Sequence, residues 1–355
     1  MHRPLLVAAC ATLGLAAGCG GPTPAPQSTG AASPAAGATA PPDVAALQAQ
    51  AAALFQPLPA AMPSEANPAT EAKVSLGRML YYDPRLSKGG DVSCNSCHGL
   101  NTYGVDNAPT SSGFQGQKGG RNSPTTYNAA LHVAQFWDGR ASDVEAQASG
   151  PMLNPVEMAM PDAAAVETVL RAIPGYVTAF AAAFPGESEP VTLDNAARAI
   201  GAFERGLVTP SAFDRFLDGD ATALNAQQLA GLQVFLESGC GTCHNGVAIG
   251  GGMFQKLGLV KPFETADVGR AETTKNEADR FFFKVPSLRN IEKTAPYFHD
   301  GKVADLDGAV RLMAEHQLGK TLSDTQVAAI RSFLGSLTGT IPAEYIAPPQ
   351  LPGAT

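Results

Sequence analysis

The sequence predicts an all-α protein of two domains with long loops. Three observations lead there: apolar residues recur at helical spacing along much of the chain, strand-like alternation is scarce, and the unit Cys-x-x-Cys-His occurs twice. The units are Cys94-Asn95-Ser96-Cys97-His98 and Cys240-Gly241-Thr242-Cys243-His244. A helical pattern leads towards each of them.

Two thiols at this spacing can form thioethers to the vinyl groups of one haem, and the adjacent His then meets the iron from the same side. Cys94, Cys97 and His98 would hold one haem c, and Cys240, Cys243 and His244 a second. Each domain therefore reads as a cytochrome c type domain around one covalently bound haem. A structural zinc built from four thiolates is the other reading of paired cysteines, disfavoured by the His that follows each pair. The remaining cysteines, Cys10 and Cys19, lie near the N-terminus, so no disulfide framework is implied.

Composition agrees. Of 355 residues, 45% are hydrophobic and only 16% charged, which suits globular domains with extra apolar surface to lay against a large flat cofactor. A net charge of −8 without a basic patch speaks against nucleic-acid binding and leaves room for a small redox partner with a cationic face.

Residues 1–19 read as a lipoprotein-type signal peptide. Arg3 precedes the apolar run from Leu5 to Ala17, too short for a stable membrane span and suited to a secretory signal. Leu15-Ala-Ala-Gly-Cys19 resembles a bacterial lipoprotein processing site in which Cys19 carries the lipid, although Ala16 stands where Leu is commoner. An ordinary signal peptide cut nearby is the alternative. Residues 20–43 are almost all Gly, Pro, Ala, Ser and Thr, a flexible tether. The expected location is periplasmic, with the membrane reached only through the lipid.

The first haem domain is expected over residues 44–210. Val74, Leu76, Met79 and Leu80 mark a helix that Asp83-Pro84 ends, and a glycine-rich loop follows the first motif over residues 99–126. Helical patterns resume at 143–149, 162–172 and 193–207, with Pro174-Gly175 as a break. The second domain is expected over 211–340. Asn225 caps a helix running to Glu237 that delivers the second motif, and Ser323-Asp-Thr-Gln opens another with Val327, Ile330, Phe333, Leu334 and Leu337 on one side. Residues 341–355 read as a tail.

Several further runs carry a resemblance. Asn122-Ser-Pro-Thr-Thr-Tyr-Asn128, Phe136-Trp-Asp-Gly-Arg140, Gln147-Ala-Ser-Gly-Pro151 and Asn154-Pro-Val-Glu-Met158 follow the first motif. Val285-Pro-Ser-Leu-Arg-Asn290 and Ala295-Pro-Tyr-Phe-His-Asp-Gly301 follow the second. Together they resemble the bacterial di-haem cytochrome c peroxidases and their relative, the methylamine-utilisation di-haem enzyme. The resemblance implies peroxide reduction at the first haem. Glu157 matches the family's catalytic acid and Gln147 the polar residue beside it, while Trp137 matches a Trp between the haems implicated in electron passage. From residues alone, Glu157 could equally be a capping or surface acid and Trp137 a core filler.

Met313 and His316 compete as second ligand to the second haem; the resemblance favours Met313, whose thioether raises the potential. His299 matches a His close to haem. Asn122, Thr294 and Pro296 match a calcium site of hard oxygen donors. His132 and His316 read as ordinary core or surface contacts. One departure stands out: Phe114 occupies the place where most of the family carries a His that caps the first haem in the oxidised enzyme. Tyr103, Lys118 or His132 could substitute, but otherwise that haem is open before reduction. The implied activity converts hydrogen peroxide to two waters with electrons from a small donor, cytochrome c or cupredoxin. An oxidase acting on a protein or organic substrate, or a pure electron-transfer cytochrome, are the alternatives. Family members are often homodimers.

Overall fold

A computed structural model describes residues 43–353. The expected signal peptide, Cys19 and residues 20–42 of the expected tether lie outside the described residues. Helix α1 (Val44–Ala52) starts at Asp43, whose carboxylate accepts the N–H groups of Ala45 and Ala46. Helix α2 (Glu71–Tyr82) is capped by Thr70 and stops at Asp83-Pro84, and α3 (Cys94–Cys97) is the single turn of the first motif. Then come α4 (Val144–Leu153), α5 (Ala163–Arg171), α6 (Pro174–Ala183) and α7 (Leu193–Glu204). Pro174 does not only interrupt: it is the first residue of α6, where its missing N–H costs nothing.

The second half contains α8 (Ala212–Leu217), α9 (Ala226–Ser238), β1 (Phe254–Lys256), α10 (Ala271–Thr274), β2 (Phe282–Lys284), α11 (Leu306–Leu318) and α12 (Asp324–Gly335). The two strands pair antiparallel, with Gln255 opposite Phe283. The fold is mostly helical, as expected.

Two apolar cores result. The first gathers Leu76, Leu80 and Tyr81 of α2 with Ala196, Ile200 and Phe203 of α7; the second gathers Leu232 and Phe235 of α9 with Ile330 and Phe333 of α12. In each, a glycine lets the pre-motif helix touch the later one. A Cβ on Gly77 would lie 1.9 Å from the Ala199 carbonyl oxygen, and one on Gly231 1.9 Å from that of Ala329.

The cores do not follow chain order at the ends. Leu47 and Ala51 of α1 and Phe55 beyond it join the second core, where Phe55 meets Phe213 edge-on at 5.4 Å. Ile346 joins the first core, and Tyr345 stacks on Phe203 at 5.2 Å. The expected boundaries at 44 and 340 had placed α1 with the first half and residues 341–355 in a tail. The chain instead crosses over at both ends, because each half leaves an apolar gap that the other end fills.

A repeat relates the halves. Asn128 and Asn290 each take a left-handed conformation before a short 3₁₀ turn, Phe136 and Phe298 each have positive φ (65° and 69°), and single bridges pair Gln135 with Ala141 and Tyr297 with Val303. Asp143 and Asp305 then cap α4 and α11 in the same register.

Candidate active site

The two His residues are held alike. His98 Nδ1 lies 3.3 Å from the Gly104 carbonyl oxygen, and the Pro124 carbonyl also faces it. The carbonyls of Ile249 and Pro286 face His244 in the same way, although its buried Nδ1 finds no hydrogen-bond partner of good geometry. Burial lowers both imidazoles, His244 down to about 4, so each is neutral near pH 7. Neutral rings whose Nδ1 is directed at backbone carbonyls offer Nε2 to a metal. Two half-buried thiols stand in the turn before each ring, and burial pushes Cys94 up to about 12. This donor set fits covalent haem c with His as iron ligand.

Above the first motif, α4 and the turn after it form one wall. Glu145 braces α4 to α7 through Arg205 at 2.8 Å and takes Asn67 at 2.9 Å. Phe136, Arg140, Ala146, Gly150, Asn154 and Glu157 border a cavity of about 250 Å³. Asn154 Nδ2 donates to Glu157 Oε1 at 2.7 Å. Burial is the largest influence on Glu157 and raises its pKa, while Arg140 and Asn154 oppose it. Such a carboxyl exchanges protons more readily near neutrality than an exposed one. Gln147 is half-buried on α4 but is not among the cavity residues.

The glycine-rich loop closes against this wall. Phe114 N–H donates to the Glu157 carbonyl at 2.7 Å, and a Cβ on Gly113 would come within 2.6 Å of Glu157 Cα. Tyr103 reaches the Gly339 carbonyl at 3.4 Å, Lys118 bonds Ser112, and His132 faces Lys284.

Trp137 lies where the halves meet. Its indole N–H donates to the Asn122 carbonyl at 2.8 Å, its own carbonyl accepts from Lys284 N–H at 2.8 Å, and its ring meets His299 edge-on at 6.4 Å. His299 is 2% exposed, stacks on Phe283 at 4.5 Å and pairs Nε2 with Thr265 Oγ1 at 2.9 Å.

Comparison with known proteins settles the family. A model of the di-haem cytochrome c peroxidase family matches residues 71–222. The cytochrome c551 peroxidase of Pseudomonas aeruginosa is 48% identical over 319 residues, covering 87% of this chain and 91% of that one. The chain belongs to the di-haem cytochrome c peroxidase family. It is accordingly a cytochrome c peroxidase, an enzyme that reduces hydrogen peroxide and carries two haem c groups. The methylamine utilization protein MauG of Methylorubrum extorquens is 38% identical, covering 69% of each chain. A crystal structure of a MauG-like protein associated with microbial copper homeostasis superposes with a TM-score of 0.74 at 28% identity, covering 82% of this chain and 97% of that one.

Met313 is half-buried on α11, one turn before His316. His316 Nδ1 pairs with the Lys261 carbonyl at 3.0 Å and its ring meets Phe263 edge-on at 5.2 Å, so it serves the loop over α11. Around the calcium candidates, Asn122 Nδ2 donates to the Ala108 carbonyl at 3.0 Å and its N–H to that of His299 at 2.8 Å. Thr294 and Pro296 flank Ala295, whose carbonyl takes Asn107 Nδ2 at 2.9 Å.

Sequence reasoning gave no role to Arg140, Phe136 or Asn154. All three stood in the runs that carried the resemblance, but only folding puts them around one cavity. Among the described residues no helix is long and apolar enough to cross a membrane.

Proposed function

We propose that peroxide is reduced beside Glu157, over the haem held by His98, and that the enzyme works from its fully oxidised state. The observation that supports this reading is that Phe114, at the sequence position where the resemblance implies a ligating His, is hydrogen-bonded through its backbone to Glu157. Phenylalanine offers no lone pair. When bound, the two haems supply the electrons and the iron that split the O–O bond. Glu157 takes the proton from one peroxide oxygen and returns it to the departing one; two electrons and two further protons complete two waters. Asn154 holds the carboxylate in place, Arg140 favours its charged form, and Gln147 has the supporting polar role that the resemblance implies. Trp137 and His299 bridge the halves along the electron route. Met313 closes the second haem and keeps it an electron store.

A small cytochrome c or cupredoxin supplies the electrons, and Asn122, Thr294 and Pro296 hold a calcium ion between the halves. Cys19 tethers the enzyme as a periplasmic lipoprotein. Turnover of the all-ferric protein tests the central claim. A five-coordinate, high-spin first haem and no lag are expected, with Phe114→His introducing a lag that pre-reduction removes. A six-coordinate, low-spin first haem in the wild-type ferric enzyme would overturn it.

A further inference from the structure

Lys284 and His132 lie outside the machinery described above. Lys284 ends β2 and is 6% exposed, with Nζ 3.1 Å from His132 Nδ1. No carboxylate among the described residues lies within ion-pair distance of that ammonium. The nearest acid to act on it, Asp138, has its oxygens taken by Arg121 at 2.6 Å and Arg140 at 3.0 Å.

An ammonium has only hydrogens to give, so His132 Nδ1 accepts and the ring proton sits on Nε2. That Nε2–H is buried and finds no acceptor. Burial pushes Lys284 down to about 8 and His132 well below its ordinary value. Gly251 makes room for the ring, since a Cβ there would lie 2.3 Å from His132 Cδ2. A buried cation bonded only to a neutral ring, and a buried ring N–H without an acceptor, call for an anion that the described residues do not supply.

Their place says which anion. Gly251 N–H donates to the Val285 carbonyl at 2.7 Å, and Gly250 packs on the Pro286 carbonyl. Pro286 and Ile249 are the residues whose carbonyls face His244. The two donors thus stand beside the backbone that holds the second haem's ligand, and haem carries two propionate carboxylates at its edge. The repeat adds a second line. Lys284 N–H bonds the Trp137 carbonyl as Asn122 N–H bonds that of His299, both at 2.8 Å. Lys284 and His132 therefore stand in the register positions of Asn122 and Thr294, the residues of the proposed calcium site, with the halves exchanged.

We propose that Lys284 and His132 together receive a propionate of the haem held by His244, a built-in positive charge standing where the other side of the repeat places a candidate metal ion. The charge favours the reduced form of that haem and so holds its potential up. The inference rests on both motifs carrying haem. Redox titration of the intact holoenzyme, followed by the separate absorption bands of the two haems, provides the test. Lys284→Met should shift the second haem to lower potential and leave the first in place, and His132→Leu should shift it less, in the same direction. An unmoved second haem in Lys284→Met with both haems attached would overturn the proposal, as would a shift confined to the first haem. If Lys284→Met does not fold, an unmoved second haem in His132→Leu does the same. Fewer than two haems on the wild-type chain would instead fail the family reading on which the proposal stands.

Discussion

In the first half Tyr127, and in the second half Arg289, reaches from the same place in the repeat to a backbone carbonyl just beyond the haem motif. Tyr127 donates to the Leu100 carbonyl at 2.8 Å, whereas Arg289 donates to the Val247 carbonyl at 2.7 Å and pairs with Asp214 at 2.9 Å. The task is shared while the chemistry differs. The same contrast recurs above the haems. Pro151 holds in α4 the register position that Met313 holds in α11, so the thioether of one helix is answered by a side chain without a donor atom on the other. Around Phe136 a cavity is left beside Glu157, while the equivalent Phe298 is stacked by Phe263 at 5.2 Å. The loop bearing Phe263 is pinned to α11, with Val260 N–H on the His316 carbonyl at 3.0 Å and Gly258 N–H on Gln317 Oε1 at 2.7 Å. What attaches a haem is repeated, and what covers it is free to diverge. On the roles proposed above, one repeated scaffold would thus carry one reactive site and one closed one.

The largest expected effect tests that divergence directly. Glu157→Gln should lower kcat/KM for peroxide by about 10²–10⁴-fold with both haems in place. Glu264→Gln, which changes the acid that borders a cavity with Phe263 and His316 in the second half, should leave it unchanged; comparable losses would erase the functional difference between the halves. Next in size is the buried pair of the second half. Asp214→Ala should cost about 3–5 kcal/mol in denaturant unfolding of the holoenzyme, because it strands the Arg289 charge, against about 1 kcal/mol for Tyr127→Phe. Equal costs would mean the two anchors are interchangeable.

The likeness of the halves is open to the same treatment. Gly77→Ala and Gly231→Ala should each cost about 1–3 kcal/mol by forcing two helices apart, and a clear inequality would break the equivalence of the crossings. The smallest effect is a shift in pH profile. Burial raises Glu157, and in its proposed role the base form does the work, so activity should be lost as pH falls through a value above that of an ordinary carboxyl. An acid limb at the usual carboxyl value, or one retained in Glu157→Gln, would assign the limb to another group.

Much of this was open to reading in the sequence. Helices α2, α5, α7, α9 and α12 announce themselves by apolar period and caps, since those signals are local. Helix α6 hid behind Pro174-Gly175, which marks a helix start as readily as a break; Tyr176, Phe180 and Ala183 were its buried face. The repeat was obscured because its chemistry had been replaced position by position, Trp137 by His299 and Tyr127 by Arg289, while the backbone turns persisted. The role proposed for Glu157 came from resemblance alone. Its partner Asn154 and the Lys284–His132 pair depend on folding, as nothing local distinguishes a buried Lys from a surface one.

The crossing of the chain also ties distant stretches of sequence into one core. Tyr82 O–H donates to the Ile346 carbonyl at 2.6 Å and Arg85 to that of Pro352 at 3.0 Å, so the first core is sealed by residues 264 and 267 positions further along the chain. Cys94 and Cys97 therefore lie in a domain whose core is complete only with residues 345 and 346 in place, and neither core is a continuous stretch of sequence.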